Sequence, residues 1–141
     1  MNKDIEILLK QAIQKALDAI GLLEASLKEI KPFDPTKIYS PKEREPYDAM
    51  CNRFIRVVEI CIKYFKTYEK SLYAENSDTL RDLLNRIEKA RLISSTRRWM
   101  EMRDIRNRIV HDYLPQELKA IYDSIGGEFG QEILMLKRRI Q

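Results

Sequence analysis

The residues best suited to chemistry lie together in one short segment, which runs from Arg106 to Tyr113. It contains the only histidine of the 141-residue chain, His111, five positions after Arg106. A histidine can give or take a proton near neutral pH, and an arginine offers phosphate a fixed charge and a planar fork of donors. The segment therefore combines a proton-transfer group with an anion-binding group.

Helical geometry places these side chains on one side of the segment. Each residue of a helix advances by about 100°, so Arg106 and Tyr113, seven apart, point in nearly the same direction. Asn107 and His111, four apart, share an adjacent face, while Ile105 gives the helix another side to bury. We therefore expect a broad polar wedge near the end of a helix.

Such a wedge could cleave RNA without a metal ion. Cleavage needs an activated 2′-OH, a stabilised phosphate and a proton for the leaving oxygen. One histidine can hardly be acid and base at once, so a symmetric dimer with two copies would supply the missing group. The alternative is structural, because His111 and Arg108 near a helix C-terminus would also complement the helix dipole. Geometry alone leaves both interpretations open.

Basic residues are concentrated between Arg81 and Arg108. This stretch holds nine Lys and Arg residues against four Asp and Glu residues, whereas the whole chain has a net charge of only +4. Such a concentration can attract phosphate, and Arg103 and Arg108 are candidate RNA-binding residues. A solvated helical face is the alternative, and charge alone does not decide between the two.

The other reactive or aromatic residues favour structural roles. Cys51 and Cys61 are ten residues apart in one helical pattern, about 15 Å, which is too far for a disulfide. With one histidine in the chain, no Cys/His zinc set can form, and we expect both cysteines in the core. Tyr64, Phe65 and Tyr68 could stack on bases, but their spacing fits packing better. No phosphate-binding loop is visible, and we expect no cofactor.

Apolar spacing in steps of three and four divides the chain into about five amphipathic helices. The first ends before Pro32, which starts an extended linker. The second begins near Pro41, and Pro46 marks either a second start or a kink. This second helix has the strongest apolar pattern and is predicted to be the central element.

The remaining helix boundaries follow from capping residues. Ser77 is the predicted N-cap of the third helix, and Ser94 or Ser95 that of the fourth. The last segment begins near Pro115 and is interrupted at Gly126-Gly127, which indicates a kink or a close helix contact. Since no alternating pattern competes, we predict an all-α, antiparallel bundle of about five helices.

Length and composition limit the classes of protein to which the chain can belong. A length of 141 residues predicts a single domain over positions 1–141, and 44% hydrophobic with 34% charged residues suits a folded helical protein. There is no apolar run of about 18 residues and no signal-peptide pattern at the start. We therefore expect a cytoplasmic protein that does not contact a membrane.

The string Arg106-x4-His111-x-Tyr113, with Asn107 after the arginine, resembles the hallmark motif of HEPN domains, which are small all-helical proteins. More narrowly, it looks like the toxin-type HEPN proteins that pair with minimal nucleotidyltransferases (MNT) in prokaryotic toxin–antitoxin modules. The likeness extends upstream to the WMEMRDI segment at 99–105. With chain length and helix order, it covers most of the chain.

The resemblance implies a metal-independent ribonuclease that acts as a homodimer on tRNA or mRNA, with the motif lining a cleft between subunits. On matching positions Arg106 and His111 would be catalytic and Asn107 would support them. Tyr113 would receive AMP from a cognate MNT antitoxin. The added anion would then block the phosphate site of Arg106.

A related HEPN branch, the nucleotidyltransferase substrate-binding subunits, carries a similar Trp-x-x-Met and Arg-Asn-x-x-x-His region. The Trp99 region is closer to that branch, and the ending Val110-His111-x-Tyr113 is closer to the toxins. The leading prediction is a ribonuclease toxin, and the alternative is a non-catalytic binding subunit of a nucleotidyltransferase. A third interpretation is a helical interaction module whose motif is structural.

Overall fold

The computed structural model describes residues 3–109 and 114–141, of which most are helical and none forms a strand. In chain order the helices are α1 Lys3–Glu29, α2 Pro41–Tyr73, α3 Leu80–Lys89, α4 Thr96–Ile109, α5 Pro115–Ser124, a π-helical turn at Ile125–Phe129, and α6 Gly130–Ile140. Since α5, the π-helical turn and α6 are contiguous, they form one kinked helix. The prediction of an all-α protein of about five helices is confirmed.

Local signals determine where α2 begins. The Ser40 hydroxyl accepts a hydrogen bond from the Glu43 N–H at 3.2 Å, and the Glu43 carboxylate accepts one from the Ser40 N–H at 3.1 Å. This reciprocal capping box satisfies two free donors at the helix start. Pro41 occupies the first turn, where its missing N–H loses no helical bond. The helix continues through Pro46, which does not start a second helix.

One of the predicted helix caps is confirmed and one is wrong. Ser95 caps α4, because its hydroxyl accepts the backbone N–H three residues on at 3.1 Å. At α3 the cap is Thr79, whose hydroxyl accepts from the Asp82 N–H at 3.1 Å. The predicted cap, Ser77, instead donates its N–H to the buried carboxylate of Glu69 at 2.8 Å.

The central position predicted for α2 is confirmed, since it packs along α1 and also contacts α3 and α4. Aromatic rings connect it to the later helices. Phe54 stacks with Phe129, with ring centroids 5.8 Å apart, and Phe65 meets Trp99 edge to face at 5.0 Å. These buried pairs attach both α4 and the last, kinked helix to α2.

The predicted kink at Gly126-Gly127 is confirmed. Gly127 leaves the helical region, with φ −104° and ψ −110°, inside the π-helical turn. The close contact lies just beyond it, at Gly130. A Cβ there would be 2.7 Å from the Ile125 carbonyl oxygen and 3.3 Å from the Leu27 side chain of α1. The missing side chain of Gly130 thus allows the kinked helix to pack tightly on itself and on α1.

Candidate arginine-rich site on helix α4

Helix α4 buries one side and exposes the predicted site residues on the other. Its apolar residues Trp99, Met102 and Ile105 are at most 2% exposed, so Ile105 belongs to the buried side that the sequence predicts. The exposed residues near its C-terminal end include Arg103, Arg106, Asn107 and Arg108. The helix therefore holds these polar groups in solvent on a rigid, well-packed base.

The four exposed residues point in two directions. At about 100° per residue, Arg103, Arg106 and Asn107 fall within one sector of about 100°. We call these three residues the arginine face. Arg108 is turned about 200° from Arg106 and points to the same side as Arg97. The structure thus brings Arg103 together with Arg106 and Asn107, whereas Arg108 is separate from them.

The arginine face borders α2 through one ion pair. Arg106 Nη1 lies 2.7 Å from Glu59 Oε1 of α2, and the two side chains are 56% and 45% exposed. An ion pair this exposed contributes only about 0–1 kcal/mol. An anion of higher charge can therefore displace Glu59 from the guanidinium. Without such an anion, Glu59 holds the Arg106 side chain against α2.

Two carboxylates from elsewhere in the chain, the buried Glu132 and the exposed Glu88, orient the start of α4. Glu132 of α6 accepts hydrogen bonds from the Ser94 N–H at 3.2 Å, the Ser94 hydroxyl at 2.6 Å and Trp99 Nε1 at 3.1 Å. Glu88 accepts the Thr96 N–H at 2.6 Å. Sequence reasoning missed both carboxylates, because nothing in their local pattern distinguishes them from surface acids.

Folding neutralises part of the basic stretch between Arg81 and Arg108. Acidic residues from outside the stretch form ion pairs with three of its arginines. Arg86 pairs with Glu69 and Glu75, Arg98 with Glu128, and Arg106 with Glu59. Arg97 is paired within the stretch. In the described part of the chain, ion pairs are lacking at Arg81, Lys89, Arg91, Arg103 and Arg108. Within the arginine face, Arg103 is thus the cation that has no ion pair with any residue the structure describes.

Two residues of the predicted site, His111 and Tyr113, lie outside the described residues. The catalytic role of His111 and the addition of AMP to Tyr113 therefore stay predictions. The predicted homodimer, whose cleft would contain both motif copies, is likewise a prediction.

The cysteines and aromatic residues of α2 have the structural roles that the sequence indicates. Cys51 and Cys61 are free and buried, and burial raises the pKa of each thiol to about 12. Tyr64 and Phe65 are buried and Tyr68 is half-buried against the core. These rings are packed within the bundle, not laid out as an open surface for bases.

Within residues 3–109 and 114–141, no three His, Cys, Asp or Glu side chains are grouped so that they could hold a metal ion. Among the same residues, no helix is both long enough and apolar enough to cross a membrane.

The fold and the site define a class: an all-α protein built on a long central helix, with a solvent-facing arginine face near the end of its fourth helix. The family model described as nucleotidyltransferase substrate binding protein like matches residues 10–141. The chain therefore belongs to that family, which supports the resemblance to HEPN proteins. No curated protein and no solved structure matches the chain.

Proposed function

We propose that this chain is a non-catalytic HEPN-type binding subunit that associates with a nucleotidyltransferase through its arginine face. The observation that carries the proposal is the family match, which spans residues 10–141 and so includes α4 and the whole motif segment. It favours the binding subunit over the ribonuclease toxin, although the motif resembles both branches.

The geometry of the arginine face suits docking of an acidic partner. Arg106 is held only by an exposed ion pair with Glu59, and Arg103 has no ion pair in the described part of the chain. Because the helix backbone under these exposed cations is well packed, binding has to order only their side chains. Their charges can contribute to both the rate and the specificity of association. Asn107 adds an amide that can donate and accept.

Co-purification tests this proposal. The tagged chain is co-expressed with each candidate nucleotidyltransferase of its source genome, and any complex is measured by size-exclusion chromatography and calorimetry. Arg106→Ala should weaken the complex at least tenfold. Arg108→Ala, which removes the same charge from the other side of α4, should change affinity less than threefold. If the wild-type chain forms no complex, the proposal is wrong; if both variants bind alike, the docking surface is elsewhere.

A ribonuclease toxin is the second candidate function. The observation that favours it is the motif itself, since Arg106 and Asn107 are exposed side by side at the end of α4. In that function Arg106 would hold the scissile phosphate, His111 would transfer the proton, and a homodimer would bring two such sets together. Tyr113 would be the residue that the partner silences with AMP.

Induced expression separates the two functions. A toxin arrests growth when expressed alone, and His111→Ala or Arg106→Ala relieves the arrest while circular dichroism shows both variants folded. A binding subunit is harmless when expressed alone. A mass increase of one or more AMP units on Tyr113 after co-expression would support the silencing step, and an unmodified Tyr113 would oppose it.

A further inference from the structure

A pocket lies between the linker at positions 30–40 and the first turns of α2. It has a volume of about 470 Å³, which is within the range of roughly 300–1,000 Å³ that is usual for small-molecule sites. Its lining comes from Glu29 at the end of α1, from the linker, and from α2 as far as Tyr47. We call it the linker pocket. On α2, Glu43 of this pocket and Glu59 of the arginine face are about 24 Å apart, so the two sites are separate.

Aromatic rings form one corner of the linker pocket. Tyr39 and Tyr47 both line it, and their rings meet edge to face at 83° with centroids 5.7 Å apart. Phe33 stacks on one face of Tyr39 at 4.7 Å, which leaves the opposite face open. The face of an aromatic ring attracts a cation that lies within about 6 Å of its centroid. This corner therefore suits a positively charged group.

An ammonium group of the chain itself already occupies this position. Lys37 Nζ lies 4.7 Å from the centroid of the Tyr39 ring and 2.7 Å from Glu43 Oε2. The Lys37 and Glu43 side chains are about half exposed, so solvent screens their ion pair and an external cation can displace Lys37. The Tyr39 ring and the Glu43 carboxylate thus form a place for an ammonium group that Lys37 fills only weakly.

Local hydrogen bonds hold the corner in shape. Asp34 Oδ1 accepts the Thr36 N–H at 2.9 Å and the Thr36 hydroxyl at 2.7 Å, which fixes a turn in the linker. The Tyr39 hydroxyl accepts the Asp34 N–H at 2.9 Å. The Tyr47 hydroxyl donates to the Lys31 carbonyl at 2.8 Å. Both tyrosine rings are therefore ordered before a ligand binds, which lowers the entropic cost of binding.

The charges of the lining match a ligand with two positive charges. Its acidic residues are Glu29, Asp34 and Glu43, and its basic residues are Lys31 and Lys37. Once Lys37 is displaced, three carboxylates face one lysine, which is a net charge of −2. Glu29 and Asp34 form no ion pair with any residue that the structure describes. Their carboxylates are therefore available for a second cationic group.

The rest of the lining favours an organic dication over a metal ion. Ile30, Pro32 and Pro46 add apolar surface among the charged and aromatic residues, and such surface favours burial of methylene groups. In residues 3–109 and 114–141, the acidic side chains are not grouped closely enough to hold a metal ion. Carboxylates that are spread along a pocket instead suit two separated charges joined by an alkyl chain.

We propose that the linker pocket binds an aliphatic diamine in its doubly protonated form. One ammonium group takes the place of Lys37 on the Tyr39 ring and beside Glu43, and the other is held by Glu29 and Asp34. The alkyl chain between them lies on the apolar part of the lining. The proposal goes beyond the proposed function, because it needs no nucleotidyltransferase and stands or fails independently of the partner experiment.

Titration of the full-length chain with 1,4-diaminobutane at low ionic strength tests the proposal. Binding is followed by calorimetry and by shifts of backbone amides in NMR spectra, and amides within positions 34–43 should shift. n-Butylamine has the same chain length with one charge, and Mg²⁺ has two charges without the chain. Each should bind at least tenfold more weakly than the diamine. The absence of shifts with the diamine, or equal affinity for the diamine and either control, would overturn the proposal.

Removal of the internal competitor should strengthen binding. Lys37→Gln vacates the Tyr39 face and should raise the affinity for the diamine at least fivefold. Lys42→Gln removes the same charge from an exposed lysine outside the pocket lining, and should raise the affinity less than twofold. A misfolded variant cannot produce a gain in affinity. Equal affinities of the two variants would therefore overturn the proposal.

Two further pairs of variants assign the site. Glu43→Gln keeps an oxygen that can accept the Ser40 N–H, so α2 stays capped, and diamine binding should weaken at least tenfold. Glu45→Gln, on the same helix but outside the pocket lining, should weaken it less than twofold. Tyr39→Leu should weaken binding at least fivefold, whereas Tyr39→Phe keeps the ring and should stay within twofold of the wild type. Equal losses within either pair would contradict the proposed site.

Discussion

Replacing Glu132 by alanine should destabilise the fold through the helix that carries the arginine face. Glu132 is 6% exposed and accepts hydrogen bonds from the Ser94 N–H, the Ser94 hydroxyl and Trp99 Nε1. A buried donor that loses its acceptor costs about 1–3 kcal/mol. Trp99 is fully buried and would incur that cost, whereas Ser94 is exposed and its groups can turn to water.

The expected loss in the free energy of unfolding for Glu132→Ala is therefore about 1–3 kcal/mol, most of it from the indole N–H. For a chain of this length that corresponds to a fall in Tm of about 4–12 °C. Glu132→Gln should lose less, because its amide oxygen can still accept one of the three donors.

Urea titration measures these free energies, followed by far-UV circular dichroism and by the fluorescence of Trp99, the only tryptophan of the chain. The matched control is Glu128→Ala. Glu128 precedes Glu132 by one turn, is about half exposed and lies 3.6 Å from Arg98, so its loss should cost less than about 0.5 kcal/mol. Equal costs for Glu132→Ala and Glu128→Ala would refute the idea that the buried carboxylate holds α4.

Two further predictions concern the kink and the cysteines. Gly130→Ala should lower the free energy of unfolding by about 1–3 kcal/mol, because its Cβ would lie 2.7 Å from the Ile125 carbonyl oxygen. Gly126→Ala, whose Cβ would meet nothing within 4 Å, should leave the free energy of unfolding unchanged or raise it. If urea titration shows Gly126→Ala to be the less stable of the two variants, the packing at Gly130 is contradicted. Cys51 and Cys61, with thiol pKa values near 12, should react with Ellman's reagent at pH 8 only after unfolding, and rapid reaction in the native protein would disprove their burial. Because the thiols ionise first in the unfolded chain, the free energy of unfolding should also fall as the pH rises from about 9 toward 12.

The helices and their buried sides could be predicted because apolar spacing is a local property of the sequence. Met102 and Ile105 repeat at steps of three and are both buried, and the proline at position 41 starts α2 where it fits without loss. The Gly126-Gly127 kink followed from two residues of low helix propensity in an otherwise regular pattern.

The cap of α3 could not be predicted in the same way. Ser77 and Thr79 are both suitable N-cap residues, two positions apart. The choice between them depends on Glu69, eight residues before Ser77, which captures the serine N–H and hydroxyl. A local pattern does not contain that tertiary partner.

The electrostatics of the site were also only partly visible in the sequence. The basic stretch is evident from composition, but its pairing depends on Glu59, Glu69 and Glu128, which are distant in sequence. Among the residues that the structure describes, folding thus leaves Arg103 without an ion pair beside Arg106. The separation of Arg108 from Arg106 follows from helical geometry alone and could have been derived from the sequence.

Capture of a nucleotidyltransferase by this chain is the most direct test of the central claim. The account predicts a stable complex with the wild-type protein, weakened at least tenfold by Arg106→Ala and less than threefold by Arg108→Ala. It also predicts that expression of the wild-type chain alone leaves growth unchanged. The contradicting result is the absence of any complex together with growth arrest that His111→Ala relieves, since that combination describes a ribonuclease toxin and not a binding subunit.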